Sequence, residues 1–239
     1  MSIAAEKVRE QVARYGLRMA SCGLVAGTWG NISARVPREE LFVITPTGLP
    51  YNELAGKDTV VLNLEGEVVE GEHPPSTEYM LHRVIYQTRP DVNAVMHTHS
   101  IYASALAVAR KPIPPILEDL VQMVGGGVPV TPYARAGTPE LAKVAAETLG
   151  SLGAVLLANH GVVGVGRTLE EALIVCQIVE KSANVYVWAS LVGEPVPLAA
   201  EEIKALRENY LQSYGQYFLR SAELRNKTGG PHLKTGIRD

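Results

Sequence analysis

Charged residues recur throughout the opening segment MSIAAEKVREQVARYG and leave no uninterrupted apolar stretch, which predicts an amphipathic helix ending near Gly23 and not a signal peptide. From Gly27 to Gly48 the pattern changes to glycines, threonines and short β-branched runs. GTWGNISARV and LFVITPTG predict strands joined by tight turns, and TVVLNLEGEVVEG a further strand pair turning at Glu65 and Gly66. Pro74-Pro75-Ser76 stops extended structure. Met80, Leu81, Val84 and Ile85 then fall at helical spacing, with Ser76 as the expected N-cap and Glu78 in the first turn. DVNAVMHTHS predicts a strand, IYASALAVARK the helix after it, and GTPELAKVAAETLG another helix. AVLLANHGVVGVG reads as a buried hairpin bent at Asn159-His160-Gly161, TLEEALIVCQIVEKSANVYVWASLVG as a long helix and EEIKALRENYLQSYGQYFLRSAELR as the last one. Strands and helices are interspersed, so the expected fold is α/β, with one central sheet covered on both sides.

Composition narrows this picture. With 239 residues, 46% hydrophobic and 20% charged, the chain suits one globular domain, expected over residues 1–220 and followed by a loose polar tail over 221–239. The net charge of −3 and the lack of a long basic run give no sign of a nucleic-acid or membrane surface. The apolar run from Ala154 to Gly166 is broken by Asn159 and His160 and is too short to cross a bilayer. Cys22 and Cys176, far apart in sequence, make neither a disulfide framework nor a cysteine-based zinc pattern. A reducing, cytoplasmic location is the expectation.

Candidate chemistry begins at His97-Thr98-His99, at the end of a predicted strand. Alternate residues leave the same face of a strand, so both imidazoles can converge on one ion. Taken alone, the pair reads more readily as two polar residues at a strand end. His160, between two apolar runs, could likewise be a satisfied core histidine. Three histidines at strand ends together favour a metal. Three nitrogens with a carboxylate or water make a catalytic zinc site with exchangeable space, and the same donors suit manganese or cobalt. Glu78 is the candidate carboxylate, against the alternative of a favourable charge at a helix start. His82, one turn further on, could compete as a ligand or orient Glu78, and is ranked as a bystander. Thr28-Trp29-Gly30-Asn31, Thr45-Pro46-Thr47-Gly48 and Ser76-Thr77 offer amides and hydroxyls for an anion pocket without lysine, and none is a Walker motif.

The ordered set GTWGNIS, ITPTG, PPSTE, HTH and NHG resembles the class II aldolase and adducin head family, most closely its L-fuculose-1-phosphate aldolases, from the first helix through Tyr214. The resemblance implies a three-layer α/β/α domain around a largely antiparallel sheet, assembled as a homotetramer with active sites at subunit interfaces. It places zinc ligands on His97, His99 and His160, and the metal-binding acid/base on Glu78. A phosphate pocket falls on Thr28, Gly30, Asn31, Thr47, Gly48, Ser76 and Thr77, and the substrate is a small phosphorylated sugar. Where those aldolases have a tyrosine, contributed across the interface, this chain reads IPPILEDLVQMVGGG, with Glu118 or Asp119 in its place. Pentulose-phosphate 4-epimerases and methylthioribulose-1-phosphate dehydratases resemble it in having an acid near that point. Tyr214 matches a C-terminal tyrosine placed over the substrate's distal end, or is an aromatic anchor of the last helix. A non-catalytic adducin-like module is the reading of another class, and the complete metal set argues against it.

Overall fold

The computed structural model describes residues 2–216. Helix α1 (Ile3–Ser21) precedes β1 (Asn31–Arg35), β2 (Leu41–Ile44), β3 (Val60–Asn63) and β4 (Val68–Glu70). Then come α2 (Tyr79–Thr88), β5 (Ala94–Thr98), α3 (Ile101–Ala109), α4 (Glu118–Val124) and α5 (Pro139–Leu149). The hairpin β6 (Ala154–Leu157) and β7 (Gly161–Gly166) leads into α6 (Leu169–Val192) and α7 (Ala200–Asn209), which continues as a π turn at Tyr210–Tyr214. The order matches the hydrophobic pattern closely. One seven-stranded sheet runs β4-β3-β2-β1-β5-β7-β6, every neighbouring pair antiparallel.

Strand alternation builds the layers. Phe42, Ile44, Val60, Leu62, Val95 and Val163 point to one side and pack with Leu81, Ile85 and Tyr86 of α2 and Leu141 and Ala145 of α5. Ile32, Val43, Val61, Ala94 and Met96 point to the other, against Val8, Val12, Tyr15 and Met19 of α1 and Leu173 and Cys176 of α6. A third cluster joins α3, α4 and α6 to the outer strands through Ala103, Leu120, Leu156 and Val162. The three-layer α/β/α architecture is therefore real.

Three differences from the sequence reading bear on the site. Helix α2 begins at Tyr79, with Glu78 as its N-cap. Ser76 lies outside the helix, where its hydroxyl accepts from the Glu78 amide at 3.3 Å. The reason is the extended track before it, where the Ser76 amide donates to the Thr45 carbonyl at 3.1 Å and delays the helix. Second, the structure adds α4, a seven-residue helix after two prolines that is too short to show a hydrophobic period in the sequence. Third, the last predicted helix loses its α-geometry after Asn209. The expected tail over 221–239, like the 220/221 boundary, lies outside the described residues.

Candidate metal centre

β5 is sandwiched between β1 and β7, and its end carries the site. The ladder sets His97 opposite Asn31 on one side and opposite Val163 on the other, so its backbone has no freedom to shift. Its Nδ1 lies 3.0 Å from the Val162 carbonyl. A carbonyl only accepts, so Nδ1 carries the proton and Nε2 turns a lone pair inward. His99 follows as the strand ends, its amide donating to the Leu24 carbonyl at 3.0 Å. His160 comes from the β6–β7 turn, which Asn159 makes possible by adopting a left-handed conformation at φ +56. Arg110 holds the Asn159 side-chain oxygen, and the Thr131 hydroxyl accepts from the Ala158 amide.

Two glycines let these segments approach. A Cβ on Gly161 would stand 2.3 Å from the Thr98 carbonyl and against the rings of His99 and His97. One on Gly30, whose φ is +81, would stand 2.7 Å from the His97 carbonyl.

Nε2 of His97 lies 2.8 Å from that of His99 and 3.2 Å from that of His160. Glu78 closes the group, with Oε2 at 3.3 Å from His97 Nε2 and Oε1 at 3.6 Å from His160 Nε2. Ligand atoms on a tetrahedral ion with bonds of roughly 2.0–2.1 Å stand about 3.3 Å apart. The donor set therefore fits a divalent cation in both chemistry and spacing. Oε1 of Glu78 is buried without a hydrogen-bond partner among the described residues, as a ligand atom awaiting an ion would be. Burial first, then the neighbouring imidazoles, hold His97 well below its ordinary pKa, and burial followed by His160 lowers that of His99. Both are thus neutral, lone pairs available.

The anion-pocket candidates divide. An isolated antiparallel bridge pairs Pro46 with Pro75, which sets Thr47 opposite Pro74 and Ser76 opposite Thr45. Within it the Thr47 amide donates to the Pro74 carbonyl at 3.0 Å and the Thr47 hydroxyl to the Pro75 carbonyl at 2.7 Å. Ser76 is buried, while Thr28, Thr47, Gly48 and Thr77 are exposed. Asn31 departs from the expectation. Its Nδ2 donates to Glu78 Oε2 at 3.0 Å and its Oδ1 meets His82 Nε2 at 2.5 Å, so both ends of the amide are engaged inside the protein.

Glu118 and Asp119 open α4. Asp119 pairs with Lys181 of α6, and Glu118 is exposed with no hydrogen bond among the described residues. The Tyr214 side chain lies outside the described residues. Sequence reasoning missed Trp29 as a rim residue, exposed with its ring 5.9 Å from that of His99. It also missed Glu180 of α6, which accepts from the Tyr102 and Ala103 amides at 2.9 Å and fixes the start of α3 directly after the ligands.

The family model for the class II aldolase and adducin N-terminal domain matches residues 10–187. This chain belongs to the class II aldolase family. The aldolase is 39% identical over 211 residues to a 5-deoxy-D-ribulose 1-phosphate aldolase of Bacillus thuringiensis serovar kurstaki, covering 88% of this chain and 98% of that protein. It is 36% identical to the L-fuculose phosphate aldolase of Escherichia coli strain K12, over 87% and 96% of the two chains. Among solved structures, an L-fuculose 1-phosphate aldolase superposes with a TM-score of 0.82 at 38% identity, over 85% of the aldolase and 95% of its own chain. YgbL of Klebsiella pneumoniae, described as a putative aldolase/epimerase/decarboxylase, does so at 0.78 and 34%, over 86% and 100%. The enzyme is thus a lyase of a class that uses a divalent metal. No described helix is long and apolar enough to cross a membrane.

Proposed function

We propose that this aldolase cleaves a ketose 1-phosphate, L-fuculose 1-phosphate or a 5-deoxypentulose 1-phosphate, to dihydroxyacetone phosphate and a small aldehyde. The observation that carries the reading is the convergence of three imidazole nitrogens and the Glu78 carboxylate. The relatives named for phosphorylated five- and six-carbon ketoses support the substrate class.

His97, His99, His160 and Glu78 would hold the cation, with zinc proposed and manganese or cobalt suiting the same donors. When bound, it would supply a Lewis acid for the charge that develops at the ketose carbonyl. The chain's own residues do the rest. Thr28, Gly30, Gly48 and Thr77 would seat the phosphate, and a seated phosphate contributes orientation at the reacting bond. Cleavage needs a base for the hydroxyl proton on the aldehyde side and an acid for the carbon that keeps the electron pair. Glu78 Oε1, which has no competing hydrogen bond among the described residues, suits the second task once it has taken up a proton from solvent, while the base on the aldehyde side returns one to solvent. For the first, Glu118 is preferred over Asp119, because Lys181 already occupies the latter. It would act on a neighbouring subunit's site, which requires the proposed homotetramer.

The test is release of dihydroxyacetone phosphate from L-fuculose 1-phosphate and 5-deoxyribulose 1-phosphate by metal-loaded and chelator-treated protein. Release abolished by chelator and restored by zinc or manganese is expected. No release from either substrate by loaded protein overturns the aldolase reading for them. Epimerised or dehydrated product would assign the same centre to those reactions instead.

A further inference from the structure

Two rows of polar side chains face each other beneath the metal centre. Asn31 and Ser33 are two apart on β1 and leave the same face of the strand, while Glu78, His82 and Tyr86 are four apart and share one face of α2 and its cap. They interlock in single file. Asn31 Nδ2 meets Glu78 Oε2 at 3.0 Å, Asn31 Oδ1 meets His82 Nε2 at 2.5 Å, His82 Nδ1 meets Ser33 Oγ at 2.6 Å, and Ser33 Oγ meets Tyr86 Oη at 2.7 Å. All five side chains are buried, His82 and Ser33 completely.

The direction of every bond follows from the Glu78 end. A carboxylate only accepts, so Asn31 must present its NH2 to Glu78 and its carbonyl to His82. That carbonyl only accepts, so His82 Nε2 carries the proton and its Nδ1 accepts from the Ser33 hydroxyl. Ser33, having donated, accepts from Tyr86. Burial, then nearby His97, push the His82 pKa down to about 3, in keeping with the neutral tautomer the file requires. Asn31 supplies the hydrogen bond that fixes one Glu78 oxygen, and the other has no partner among the described residues. Without the amide the carboxylate would be free to turn about its own axis. Without His82 the amide would be free to flip.

We propose that Asn31, His82, Ser33 and Tyr86 form a positioning relay that aims the Glu78 carboxylate at the histidine cluster, so that His82 governs metal affinity and turnover without touching metal or substrate. This rests on the reading of Glu78 as a metal ligand. It also accounts for a polar file where apolar residues of equal volume would cost less to bury.

Zinc affinity, by competition with a chromogenic chelator, and kcat and KM for dihydroxyacetone phosphate release are compared in the parent enzyme, His82→Leu and His82→Gln. His82→Leu is expected to lose about 10–100-fold in zinc affinity and in kcat, the usual cost of removing an outer partner of a ligand, with KM little changed. His82→Gln should recover most of both, because its amide can donate to Asn31 and accept from Ser33. A folded His82→Leu with parental zinc affinity overturns the relay, as does a His82→Gln no better than His82→Leu. Should His82→Leu fail to fold, Tyr86→Phe decides through the same readouts. A smaller loss in both supports the relay, and parental values overturn it. If the parent itself binds no divalent ion, the metal centre fails and the relay with it. Parental binding that no variant alters sinks the relay alone.

Discussion

Glu78 stands at the N-cap of α2, yet its carboxylate caps nothing; it turns back toward His97 and His160. A cap of the usual kind contributes roughly 0.5–2 kcal/mol, so the helix forgoes stability at this residue in favour of the site. Glu78→Gln keeps the size and the contact with Asn31 but removes the charge and the group that would carry the proton to carbon. It is expected to fold as the parent does by circular dichroism and to lose about 10²–10⁴-fold in turnover. A purely structural clip would instead show lost stability. His82 makes a second prediction. Its folded pKa, pushed by burial to about 3, lies below the unfolded value, so near pH 5 the unfolded chain binds the proton and the folded chain does not. Stability from this group is therefore fully present above about pH 6.5 and lost as pH falls toward the folded value, at up to about 1.4 kcal/mol per pH unit. In metal-free protein, urea unfolding between those limits should show a shallower pH slope for His82→Leu than for the parent.

At the scale of elements, the site depends on how closely β7 lies over the end of β5. Gly161 has the Thr98 carbonyl where a side chain would begin, so Gly161→Ala must push the two strands apart under His97 and His99. A destabilisation of about 1–3 kcal/mol by denaturant unfolding is expected, with weaker metal binding in parallel. Most of this scaffold was legible in the sequence, because strands that are apolar on both faces and helices with long apolar stripes announce themselves. The His-x-His pair and the Asn-His-Gly bend were legible for a related reason, since polar residues at the ends of apolar runs are conspicuous. The file of Asn31, Ser33, His82 and Tyr86 was written in spacings of two and four, but those spacings acquire meaning only once β1 and α2 are known to face each other. α2's late start was hidden too, because the Thr45 carbonyl that holds the Ser76 amide lies thirty-one residues earlier in the chain.

For the whole molecule, Trp188, Leu191 and Val192 form one exposed apolar face on the last turns of α6, with Val196 exposed just beyond. Such a face marks an association surface, in keeping with the proposed homotetramer. Light scattering should give a mass four times that of the chain, and Trp188→Glu a smaller species. If each site takes Glu118 from a neighbour, inactive Glu118→Gln and Glu78→Gln subunits should regain activity when unfolded and refolded as a mixture; a mixture as inactive as its components would confine the site to one subunit. The ladder that holds His97 between β1 and β7 has a further consequence. His97 hangs from the ladder and the His99 and His160 amides donate to the Leu24 and Leu157 carbonyls, so three of the four donors stand on hydrogen-bonded backbone, which predicts a socket that forms without its ion. Stripping and refilling should then leave the fold untouched, and the ion carried at any moment would reflect the surrounding supply at the time of loading, with no record kept of the ion present when the chain folded.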